Sequence, residues 1–377
     1  MPKVREALDA LWLVDHHCHG VVTGALSPEG FEGLLGEGEP APGISLFDTP
    51  AGTAVRRHCA PFLDLPAHAP PADYLRRRSE LGPDEVNRRF LAAARTDVFC
   101  VDTGFAADRL TPPDALAGAA GRGAVAYEVV RLESLAERVA AGGVEAGEYA
   151  DAVRSAARAA VGRPGVVAVK SVAAYRTGFD LDPRRPDDRA VTEAARTWLE
   201  TGGRLADPVL VRHLLWTAVE LGLPLQLHTG FGDADLRLQH ADPALLTDWL
   251  RLTAGTIPVL LLHCWPYQRQ AGYLAAVFPH VYLDVGLTLH HVGPVRARAV
   301  LEEALEITPY QKLLHSSDAF GLAEFYHLGA LAFRRGLAEL LQDRVDAGEM
   351  ALADALRVAE WAGRENARRI YRISDDN

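Results

Sequence analysis

The chain has 377 residues, 49% hydrophobic, 24% charged and 7% aromatic, a globular composition long enough for one large barrel or two medium domains. Its net charge of −11 argues against a sequence-independent grip on nucleic acid or on an anionic membrane surface. The longest apolar stretch, Ile257–Leu262, is far short of the ~20 residues a membrane helix needs.

Met1–Leu11 carries acids where a signal peptide would have its apolar core, and four cysteines make no disulfide framework. A cytoplasmic, reduced setting is expected. Of the 39 basic residues only Lys3, Lys170 and Lys312 are lysines.

Eight apolar runs read as strands: Leu13–His17, Val98–Thr103, Ala124–Arg131, Val166–Ser171, Pro224–His228, Pro258–His263, Val281–Val285 and Lys312–Ser316. Helical patterns alternate with them, as at Ala150–Val161, Pro208–Leu221, Ala241–Thr253 and Val295–Ile307. The alternation predicts an α/β fold, a (β/α)8 TIM barrel forming one domain over residues 1–377. A helical insertion over 21–96 follows strand one, and helices over 319–377 close the chain. A second long connection, Ala173–Gly203, follows strand four. Long connections at such positions lie over the C-terminal face of a barrel and shape its site. No GxGxxG or GxxxxGK[ST] follows a strand, so a nucleotide fold is disfavoured.

Polar residues end these runs in a pattern. Strand one closes with the HxH pair His17 and His19, and residues two apart on a strand point to the same side. Strand four ends at Lys170, strand five at His228, strand six at His263, and Asp318 follows strand eight. A single histidine at a strand end is usually a packed, hydrogen-bonded residue. Four of them with an aspartate predict a metal site at the barrel mouth. Imidazoles with a carboxylate suit Zn2+, one ion or two, and also Mn2+ or Fe2+. Such a cation lowers the pKa of a bound water toward ~7, and Asp318 is placed to take and return its proton. His263 either binds a second metal or hydrogen-bonds the water and the substrate carbonyl.

Lys170 has two readings: a lysine carboxylated by CO2 that bridges two metals, or a plain cation. Arginine cannot play the first part. Cys18 and Cys264 flank metal candidates but alternate away from them, which suggests buried packing. Ser316-Ser317-Asp318 contains no nucleophile elbow.

The ordered set resembles the amidohydrolase superfamily over residues 11–325. The contexts VDHHCHG, VKSVAAYRTGFD, LQLHTGFGDAD, LLHCWPY and LLHSSDAF look like its amidohydrolase family 2 branch, and are similar to the amidohydrolase-like half of FluG-type proteins. In those proteins the barrel is fused to a glutamine-synthetase-like domain. The resemblance implies a metal-dependent amidohydrolase acting on a small molecule, plausibly a γ-glutamyl amide. It also allows a zinc-dependent decarboxylase of a small aromatic acid, and a non-catalytic partner of a glutamine-synthetase-like enzyme. Single-metal decarboxylases of this branch commonly lack the lysine, which favours hydrolysis; barrels of this kind often pair as homodimers.

Substrate contacts are expected from the loops after strands four to six. Arg176 would clamp a carboxylate beside Tyr175, and Asp233 or Asp235 would receive an ammonium. Phe231, Arg237, Trp265 and Tyr267 complete the group, with Glu128 and Arg131 at strand three as further candidates. The alternative for Asp233–Arg237 is a self-paired loop.

Overall fold

Seven of the eight runs become strands of one parallel sheet, in the order β1 to β7, in a computed structural model that describes residues 3–374. They are β1 (Leu13–Cys18), β2 (Thr96–Asp102), β3 (Val125–Arg131), β4 (Val166–Ser171), β5 (Leu225–Thr229), β6 (Val259–His263) and β7 (Val281–Leu283). β1, β5 and β6 are buried along their whole length, as strands covered on both faces must be.

The expected eighth strand is not a regular one. Lys312 closes a short 3-10 turn, Tyr310–Lys312, and the following residues touch β1 at isolated points. His16 N donates to His315 O, and Asp318 N donates to His17 O. Between them Ser317 N is taken by the Asp15 side chain, and Asp318 has a left-handed φ of 49°. Side chains competing for backbone groups break the ladder here.

The described residues form two compact units. One comprises the chain up to Val101, Ala106–Tyr127 and Asp284 onward. Its core is the helix Ala323–Asp346, whose Ala- and Gly-rich face packs on the helix Thr288–Ala304. A Cβ on Gly336 would press against the backbone of Ala297 and Arg298, so only glycine permits this approach. Arg334 of the long helix is buried, and its guanidinium donates to the carbonyls of Leu8, Leu11, Ala94 and Arg95. It thereby closes two helix ends immediately before β1 and β2 begin.

In the insertion, Gly82 (φ 77°) and Pro83 split the Arg/Glu-rich region into two helices, Pro71–Leu81 and Pro83–Ala94. The expected helix Val295–Ile307 starts earlier, at Thr288, and kinks at Gly293-Pro294.

The other unit comprises Asp102–Phe105 and Glu128–Leu283. Here β3 to β7 form a parallel ladder that runs without a slip from Val129 onward, with Arg131, Lys170 and Gln226 opposite one another. Asp207 caps the helix Pro208–Leu221 by accepting from Val209 N and Leu210 N. The expected helix Ala241–Thr253 is two pieces, Pro243–Leu246 and Thr247–Leu252, because Asp242 caps Ala244 N. No helix among the described residues is long and apolar enough to cross a membrane.

Candidate metal centre

In the first unit the HxH pair sits at the end of β1, where the pairing with β2 slips by one residue between Asp15 and Cys18. A bulge of this kind re-aims side chains next to functional sites. His17 and His19 stand edge to face, their ring centroids 5.3 Å apart. Asp318 Oδ1 lies 3.0 Å from His17 Nε2 and 3.5 Å from His19 Nε2. Side-chain exposure is 0% for His17, 9% for His19 and 11% for Asp318, so the three form a nearly dry N,N,O donor set. Phe320 packs on the edge of His19, and Tyr326 donates its hydroxyl proton to the His19 carbonyl.

The residue before the pair faces other partners. His16 Nε2 lies 2.7 Å from Asp284 Oδ2, and His16 Nδ1 is 2.9 Å from the Tyr371 hydroxyl. Asp15 is fully buried and accepts from both the backbone and hydroxyl of Ser317. Burial pushes its carboxyl up to about 7, against the opposing pull of those hydrogen bonds.

In the second unit, Lys170 is 1% exposed and its register partner is Gln226, two residues before His228 on the same face of β5. His228 packs at a tilt against Tyr175 (ring centroids 4.6 Å apart) and His263 (4.5 Å). Strand parity alone would set Leu262, not His263, opposite His228. His263 reaches its neighbour because its φ is 69° and the following Cys264 is also left-handed. His228 Nε2 is 3.0 Å from Phe231 O, a contact made by the tautomer with its proton on Nε2.

Around this pair, Asp233 N donates to the Tyr175 hydroxyl, and Phe231 meets Trp265 edge to face at 5.8 Å. Trp265 is 37% exposed, as a substrate-facing aromatic would be.

Arg176 is placed differently from expectation. Its Nη1 donates to Glu137 Oε1 at 2.7 Å and to Leu205 O, so the guanidinium ties two connections of the unit together. Arg237 is exposed, and the loop is paired partly with itself and partly outside. Asp233 accepts from Asp235 N, and Asp235 pairs with Arg204. Glu128 accepts from Thr103 and Arg163. The cysteines behave as expected: all four are free and buried, with Cys18 turned to Cys100 O and Cys264 to Leu261 O.

Sequence reasoning passed over Asp102. It ends β2 as a buried carboxylate and takes both Nε and Nη2 of Arg131. The signal was available, since Val-Asp-Thr is one more apolar run closed by a polar residue.

A parallel α/β sheet with histidines and carboxylates at its strand ends is the arrangement on which barrel enzymes build metal sites. The amidohydrolase family model matches residues 14–373, and the chain belongs to that family. Protein fluG of Emericella nidulans is 34% identical over 230 residues, 57% of this chain. Those residues span 27% of fluG, about a quarter of its length. A protein from Lactobacillus casei ATCC 334, described as a metal-dependent hydrolase, superposes with a TM-score of 0.86 at 28% identity, over 99% of this chain and 98% of that one. The uronate isomerase of Thermotoga maritima shares the fold, with a TM-score of 0.65 at 15% identity over 98% and 96% of the two chains.

Proposed function

We propose that His17, His19 and Asp318 hold zinc, and that the enzyme hydrolyses a C–N amide bond. The observation that carries this reading is Asp318 Oδ1 set against both HxH Nε2 atoms in a nearly dry setting. Two imidazoles and a carboxylate fit Zn2+, and also Mn2+ or Fe2+. The HxH pair stands at the C-terminal end of β1, the side of a strand on which barrels of this class build their sites.

When bound, the cation acidifies a water and polarises the substrate carbonyl. Asp318 takes the proton from the attacking water and passes it to the leaving nitrogen, acting first as base and then as acid. His263 donates toward the carbonyl oxygen or contributes a ligand. Lys170, buried at a strand end in a chain with only three lysines, would as a neutral amine add CO2 and release a proton, supplying a carboxylate that could serve as a further ligand. Tyr175, Asp233, Arg237 and Trp265 line the approach.

The substrate class proposed is a γ-glutamyl amide, as the resemblance of the sequence to FluG-type proteins implies. Metal analysis of protein purified without chelator, followed by a panel of γ-glutamyl amides, tests the proposal. Ammonia or amine release that depends on the metal is expected. Absence of metal overturns the centre, and inertness across the panel overturns the substrate class.

A further inference from the structure

We infer that Asp15 and Ser317 form a clamp whose task is to hold Asp318 in ligating position. This inference rests on the metal-centre reading. Asp15 lies two residues before His17, and Ser317 immediately precedes Asp318. Asp15 Oδ1 accepts from Ser317 N at 2.9 Å, and Oδ2 accepts from the Ser317 hydroxyl at 2.5 Å. The same hydroxyl oxygen accepts from Ala319 N at 3.0 Å, so the chain folds around it and carries Asp318 across the turn.

Asp318 pays for this with a left-handed backbone, φ 49°, a conformation that short polar side chains tolerate but do not seek. Its N–H donates to His17 O at 3.0 Å, and Ala319 O accepts from His19 N at 2.9 Å. Three consecutive residues, 317 to 319, are thus tied to β1 on both sides of the HxH pair. Only in that setting does Asp318 Oδ1 stand 3.0 Å from His17 Nε2. Without the Ser317 bonds the turn is free to relax to negative φ, which swings the carboxylate away from the imidazoles.

Ser316 provides an internal contrast. Its hydroxyl points elsewhere, to Asp284 Oδ2 at 3.0 Å, within the His16–Asp284–Tyr371 network. Both serines are buried, 2% and 1% exposed, and each gives one hydrogen bond to a buried aspartate. Ser316 makes one such bond and Ser317 takes part in two, so Ser317→Ala costs the more stability, and only Ser317 touches the turn that presents Asp318. Asp15 and Ser317 are positioning residues, not catalytic ones.

The test is zinc binding to the metal-stripped protein, by calorimetry and by competition with a chromophoric chelator. Ser317→Ala is expected to weaken zinc roughly 10–100-fold, the range seen when the partners of metal ligands are removed. Asp15→Asn should do the same from the other side of the clamp, and the double variant should lose little more than either alone. Ser316→Ala should bind zinc as the parent does although it too loses a buried hydrogen bond and lowers the thermal midpoint of the stripped protein. Equal weakening by both serine variants would mean general loosening and overturn the clamp. Unchanged affinity in folded Ser317→Ala and Asp15→Asn overturns it too. A parent protein that binds no zinc sinks the metal centre itself, which is a different result from a parent that binds and variants that do not differ.

Discussion

Asp318 is joined to His17 twice: its N–H donates to the His17 carbonyl, and its Oδ1 lies 3.0 Å from the His17 Nε2. The backbone bond fixes where the residue stands, and the carboxylate faces the two imidazoles. Asp318→Asn keeps the backbone bond and the shape but removes the negative charge and the proton-accepting oxygen. We expect turnover to fall by about 10²–10⁴-fold, with circular dichroism and the thermal midpoint close to the parent. Retained turnover would remove Asp318 from the proton transfer.

Metal removal should act through the same residues. Dialysis against a chelator is expected to abolish activity, and Zn2+ or Mn2+ to restore it. If Lys170 carries CO2, the parent holds about two cations per chain, and mass spectrometry under mild conditions finds the added CO2 on the Lys170 peptide. Lys170→Arg keeps a cation of similar length but has no neutral amine to carboxylate. Its content should drop to about one cation, with the HxH group still loaded. A parent with one cation and unmodified Lys170 would end the bridging role.

Much of this was legible in the residue order. Apolar runs bounded by turn signals mark the strands, so β4 is found at its full extent and the others within one or two residues at most ends. Histidines at strand ends could be seen for the same reason. What could not be seen depends on partners far away in the chain. Leu313-Leu314-His315-Ser316 has strand composition, yet Asp15, some three hundred residues earlier, takes the backbone proton of Ser317 and ends the ladder. Arg176 follows strand four as a substrate clamp should, but Glu137 on a neighbouring helix claims its guanidinium. His263 reaches His228 only through a left-handed backbone that no parity rule predicts.

Gly232 offers a probe of the second unit. A Cβ there would overlap the Tyr175 hydroxyl and sit 3.1 Å from His228 Nε2. Gly232→Ala must therefore push Tyr175 off its contact with His228, at a half-buried loop position where folding has little at stake. A loss of about tenfold or more in kcat/KM is expected, because small misplacements at a site cost that much. Adding Tyr175→Phe removes the hydroxyl that the new Cβ strikes and should recover part of the loss. An active Gly232→Ala variant would take Tyr175 out of the site.

Acid stability should be governed by histidines away from the metal centre. His213 and His327 are 4% and 8% exposed, and burial lowers each from 6.5 to about 4. For His213, Arg154 pushes the same way, while the Ala150 carbonyl, Glu220 and Asp188 oppose it more weakly. A depressed histidine pKa means that the unfolded chain binds the proton first. Stability is then full above pH 6.5, falls as pH drops from there to about 4, and levels once the folded form protonates too. Each such histidine contributes a slope of at most about 1.4 kcal/mol per pH unit within that window. Denaturant titrations of His213→Phe across pH 4–7 should show a slope reduced by nearly one proton, whatever the change in absolute stability. An unaltered slope would show that His213 stays protonated or is solvated in the folded state.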